Sequence, residues 1–134
     1  MLLEVRKGDM MKFETVESVL DAVMDGSTEF GNYEQRPTVN SKGFFGNVPL
    51  IPVITWGSEK AVELLLEAGA DINALCEDGN TPLHHAIQMG EFKIARTLVE
   101  HHAKQDIRNG EGKRPCDLCW EGEWPGIFGV QSGI

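Results

Sequence analysis

Basic side chains are scarce in this 134-residue chain: 12 Lys and Arg stand against 21 Asp and Glu, a formal charge of −9. Binding a phosphate backbone draws on clustered cations that displace counterions, and no such run is present, so no nucleic-acid partner is expected. Also missing is any stretch approaching the ~20 consecutive apolar residues that a bilayer crossing requires. The opening segment Met1-Leu2-Leu3-Glu4-Val5-Arg6-Lys7-Gly8-Asp9 lacks the apolar core of a secretory signal. No membrane partner and a cytoplasmic location are therefore expected. Cysteines number three, an odd count that argues against a disulfide framework and fits a reducing compartment. A chain of this length with 41% hydrophobic composition makes one domain with a modest core. The acidic surplus favours solubility and would steer the chain toward a basic partner.

What the chain has is a period. Thirty-three residues separate Pro49 from Pro82 and Pro82 from Pro115, and the same step carries Gly46 to Gly79 to Gly112. At the middle copy Thr81 offers a hydroxyl to an unpaired amide of a first helical turn, and Pro82 follows where a missing N–H costs nothing. Leu83, Ala86 and Ile87 then share one face, and Gly90 ends the helix. A second helix places Phe92, Ile94, Ala95, Leu98 and Val99 inward. Neither helix can bury its apolar stripe alone, so the pair must stack on a neighbour. The preceding segment supplies it: Ser58 caps, Ala61, Val62, Leu64, Leu65 and Leu66 pack, and Gly69 takes the left-handed position past the helix end.

The stretch Asp78-Gly79-Asn80-Thr81-Pro82-Leu83-His84-His85-Ala86, with Leu64-Leu65-Leu66-Glu67-Ala68-Gly69-Ala70-Asp71-Ile72-Asn73-Ala74 upstream, resembles the ankyrin repeat. The resemblance implies an all-α fold, a short ankyrin-repeat solenoid of about two full repeats over residues 43–75 and 76–108. To these it adds an N-terminal capping helix region over 1–24, a long loop over 25–42, a half repeat over 109–121 and a tail over 122–134. It also implies that His84 ties its loop together by hydrogen bonds.

Four segments are less regular. Phe13, Val16, Val19, Leu20 and Val23 fall on one helical face, giving the cap. The polar loop that follows would be anchored by Phe30 and Tyr33. In the first repeat Val48-Pro49-Leu50-Ile51-Pro52 replaces the capping tetrapeptide; Val48 cannot cap, and with Pro52 inside, an irregular helix is expected. At the other end Cys116, Asp117, Leu118, Cys119 and Trp120 fill an opening helix. Gly122, Pro125, Gly126 and Gly129 block a second one, and Trp124, Ile127 and Phe128 are expected to fold back as a lid.

Cys116 and Cys119 form a C-x-x-C, the basis of an alternative reading as a thiol or metal protein. Their register puts them in the slots of Leu83 and Ala86, where cysteine packs as a small hydrophobe. The adjacent pairs His84-His85 and His101-His102 do not have zinc-finger spacing. No nucleophile or acid–base spacing is evident, so no metal, no cofactor and no enzyme activity are expected. His102 stands where a glycine would end the second helix.

By resemblance, contact with a partner protein would come from the turn tips and inner helix faces. These are Phe44, Phe45, Asn47, Thr55 and Trp56 in the first repeat, Glu77, Asp78, Asn80, Gln88 and Met89 in the second, and Glu111, Lys113 and Glu121 in the half repeat. Phe44, Phe45, Trp56 and Met89 would form an apolar stripe flanked by acids, and Trp56→Ala would weaken binding while sparing the fold. The small stand-alone format resembles compact bacterial ankyrin proteins, some of which are immunity or antitoxin proteins that occlude a toxic enzyme. The alternative is a regulatory or scaffolding subunit of a cytosolic protein.

Overall fold

The computed structural model describes residues 13–26, 30, 37–43 and 45–118. Among them are five α-helices: α1 (Val16–Gly26), α2 (Leu50–Trp56), α3 (Glu59–Glu67), α4 (Pro82–Gln88) and α5 (Phe92–Glu100), with 3-10 turns at Glu77–Gly79 and Pro115–Leu118. They stack in two layers. Helix α1 packs chiefly on α3 and α3 on α5, while α2 packs on α4 and α4 on the Pro115–Leu118 turn. The apolar faces of both layers meet in one core containing Val19, Val23, Leu50, Ile54, Leu65, Leu83, Ile94 and Leu98.

The 33-residue step is visible in hydrogen bonds. Gly43 N–H donates to the Asn47 carbonyl at 2.8 Å, Cys76 to Asn80 at 2.8 Å, and Asn109 to Lys113 at 2.9 Å. Within each turn Gly46, Gly79 and Gly112 donate back to residues 43, 76 and 109 at 2.9 Å, with φ of 88°, 73° and 76°. Pro49, Pro82 and Pro115 follow at the same offset, and all three are buried. Successive turns sit close: Gly110 N–H reaches the Asp78 carbonyl at 2.8 Å, and a Cβ on Gly79 would lie 3.0 Å from the Gly110 nitrogen. Glycine is required there both for its positive φ and for this approach.

Helix ends behave as their residues dictate. Ser58 accepts from Ala61 N–H at 3.2 Å, and Gly69 is left-handed with φ 97°. Helix α2 is a regular α-helix with no side-chain cap, contrary to the expected irregularity. Pro52 is its third residue, and the first amides of any helix have no partner within it, so the missing N–H removes no bond. His102 keeps the left-handed geometry of the glycine it replaces, with φ 69°.

Helix α1 does more than cover an end. Thr15 precedes its first residue and its Oγ1 accepts from Ser18 N–H at 3.1 Å, and the helix lies in the same layer as α3 and α5. Thirty-three residues before Asn73, Asn40 has the same task. Its Oδ1 accepts from Asp71 N–H at 2.7 Å, as Asn73 Oδ1 accepts from Lys104 N–H at 2.9 Å. The end of the expected long loop is thus tied to the next unit as later loops are, and Phe30 within that loop is fully buried. Tyr33, Cys119, Trp120, Trp124, Ile127 and Phe128 lie outside the described residues.

Candidate functional site

Thr81 and His84 position the middle turn. Thr81 N–H donates to His84 Nδ1 at 3.0 Å, and His84 N–H to Thr81 Oγ1 at 3.3 Å, a reciprocal cap that satisfies two first-turn amides. Because Nδ1 accepts, the proton is on Nε2, which donates to the Lys113 carbonyl at 2.8 Å. One imidazole therefore joins a helix start to the next turn. Burial lowers its pKa below the ordinary 6.5, more than the Lys113 bond raises it, so it is neutral at pH 7. This is the tying role the resemblance implied.

Between the turn tips and the inner helices lies a hollow of about 240 Å³ lined by Asn47, Ile51, Cys76, Glu77, Asp78, Asn80, His85 and Gln88. Asn47 is 9% exposed and braces one side. Its Oδ1 accepts from Glu77 N–H at 3.0 Å and its Nδ2 donates to Glu77 Oε1 at 3.3 Å. Asn80 is held by Asn109 Nδ2 at 2.9 Å. His85 Nε2 lies 2.8 Å from Thr55 Oγ1, whose single proton goes to the Ile51 carbonyl at 3.1 Å. Nε2 is then the donor; burial lowers the His85 pKa below 6.5 and so favours the neutral ring, in which Nδ1 is an acceptor.

Five of the sequence-derived contact residues, Asn47, Glu77, Asp78, Asn80 and Gln88, meet in this hollow. Thr55 is exposed beside it, and Phe45 and Met89, close in sequence to the lining residues Asn47 and Gln88, are 56% and 45% exposed. Glu111 and Lys113 are exposed on the following turn. Phe44 and Glu121 lie outside the described residues. Trp56 differs from expectation: it is 8% exposed and part of the core, whereas Met89, its equivalent one repeat on, is open. An indole offers too much apolar area to leave wet when α2 can turn it inward. The expectation that its loss spares the fold falls with it.

Three lining residues were absent from the sequence-derived set. His85 carried a signal, being polar at a usually apolar slot. Ile51 had one too, since it lies a helical turn before Thr55 on the same face. Cys76 carried none, its thiol being indistinguishable from packing. Among the described residues no group of three His, Cys, Asp or Glu is placed to hold a metal. Burial pushes the Cys116 thiol up against the opposing pull of Arg114; its C-x-x-C companion Cys119 is not among the described residues.

Stacked helix pairs whose turns and inner helices face a shared hollow make a repeat-type interaction module. The chain belongs to the ankyrin-repeat family: the family model described as ankyrin repeats (3 copies) matches residues 12–109. Among curated relatives, mouse Rabankyrin-5 is 34% identical over 89 residues, 63% of this chain and 8% of that protein. Mouse 2-5A-dependent ribonuclease is 44% identical over 68 residues, 49% of this chain and 9% of that protein. Mouse protein phosphatase 1 regulatory subunit 27 is 40% identical over 73 residues, 54% of this chain and 47% of that protein. The chain thus spans under a tenth of the first two relatives and about half of the third. The repeats make this a protein-protein interaction module. No helix among the described residues is long and apolar enough to cross a membrane.

Proposed function

We propose that the protein is a non-enzymatic, cytoplasmic binder that seats a basic partner protein on its turn tips and inner helices and regulates that partner by covering it. The observation that carries this reading is the hollow itself, in which five contact residues identified from register converge. The acids Glu77 and Asp78 line it, and Glu111 follows on the next turn, so the contact face has the sign that attracts a basic surface. In its sharpest form the reading is that of an immunity or antitoxin protein, whose acidic face occludes a toxic enzyme. A regulatory subunit that holds its partner without blocking it is the second reading, favoured by the likeness to a phosphatase regulatory subunit. Activity of the captured partner with one equivalent of this protein separates the two. Loss of activity supports occlusion, unchanged activity with a stable complex supports the subunit reading, and failure to capture any partner contradicts both.

A further inference from the structure

We propose that the hollow between α2, α4 and the Cys76–Asn80 turn receives a cationic side chain, lysine or arginine, from the bound partner. The proposal rests on the interaction reading above and names the chemistry of its centre.

Size sets the first limit. About 240 Å³ is below the ~300–1,000 Å³ of pockets that enclose a whole small-molecule ligand, yet it is room for one long side chain. Chemistry sets the second. The eight lining residues include two carboxylates and no cation. Glu77 spends one oxygen on Asn47, which leaves the other for an incoming donor. The Asp78 carboxylate and the Gln88 amide have no hydrogen-bonding partner among the described residues. Burial lowers the His85 pKa below the ordinary 6.5 and so favours its neutral ring, which adds no positive charge. Ile51, 8% exposed, and Cys76, 9% exposed, supply an apolar floor. Lysine and arginine combine an apolar stem with a charged head, and the stem would lie on this floor while the head meets Asp78 and Glu77. An anion would face both carboxylates. An aliphatic side chain would leave their charge uncompensated.

The test uses the full chain and three small probes, blocked arginine, blocked lysine and blocked norleucine, titrated while backbone amide shifts are followed by NMR. Saturable shifts confined to residues 76–80 and 85–88 are expected with the two cations and none with norleucine. Glu77→Gln combined with Asp78→Asn should weaken the cation response at least threefold with the fold kept. Glutamine still accepts from Asn47, and asparagine tolerates the left-handed φ of 60° at position 78. Shifts scattered over the acidic surface, or undiminished in the double variant, would overturn the proposal and leave only attraction to the net charge. A captured partner that binds the double variant as well as the parent would keep the interaction reading while removing the cationic hollow.

Discussion

Helix α4 starts from a hydroxyl and an imidazole, Thr81 and His84, joined in a capping box. Helix α2, one repeat earlier, starts from Val48 and Pro49 with no side-chain cap. Both begin at a buried proline after the same type of turn, so the backbone places them alike and the side chains hold them differently. In α2 the slots of His84 and Ala86 carry Ile51 and Val53, both buried. Val53 exceeds Ala86 by two carbons, at about 0.8 kcal/mol per buried methylene, which offsets the ~1 kcal/mol of a missing cap. Burial can replace a polar cap within one architecture. The polar version also reaches the next unit, because His84 links its helix to the following turn.

Removing the apolar anchor should break this comparison most severely. Trp56→Ala empties a core position of α2 and should cost about 3–5 kcal/mol, seen as a large fall in Tm. A variant that melts near the parent would return Trp56 to the surface. Next in size, His84→Ala orphans the buried Thr81 amide, at about 1–3 kcal/mol, and removes one of the two bonds to the Lys113 carbonyl, which keeps its bond from Asn109 N–H. Denaturant midpoints would register it, together with faster amide exchange at Gly110 and Gly112. No loss would mean that the polar link contributes nothing.

Acid sharpens the same contrast more gently. His84 and His85 have folded pKa values below the ordinary 6.5, so between the two values the unfolded chain binds more protons than the folded one. Their contribution is complete above about pH 6.5 and is lost as pH falls through that value toward the lowered folded ones. Melting curves from pH 8 to 5 should show stability declining below 6.5, less steeply in His85→Gln. A flat profile would contradict the assigned neutral tautomers. The smallest effect is a gain. His102 carries a side chain at φ 69°, and His102→Gly should stabilise by about 1 kcal/mol, detectable as a modest rise in Tm.

Much of the fold was legible because each signal has a local cause. The recurring Gly46, Gly79 and Gly112, the Ser58 and Thr81 caps and the Gly69 helix end are all properties of one or a few adjacent residues. What escaped depends on neighbours that sequence does not bring together. Pro52 looked disruptive because its place in the helix, third rather than interior, was not known. Trp56 and Met89 occupy equivalent slots, yet packing buries one and leaves the other open. Asn40 ties residues 37–42 to the loop at 69–71 through a single amide that resembles any polar loop residue. At the candidate site, register found Asn47, Glu77, Asp78, Asn80 and Gln88. Ile51, Cys76 and His85 emerged only when the hollow was seen to run from the turn tips onto the helices.

The most direct test of a binding face on the turns and inner helices is amide hydrogen exchange on the complex with the partner captured from native cells. Protection is expected at residues 45–47, 76–80, 85–89 and 111–113, with α1, α3 and α5 unchanged. Protection confined to those three outer helices, with the turns exchanging as in the free protein, would contradict the account.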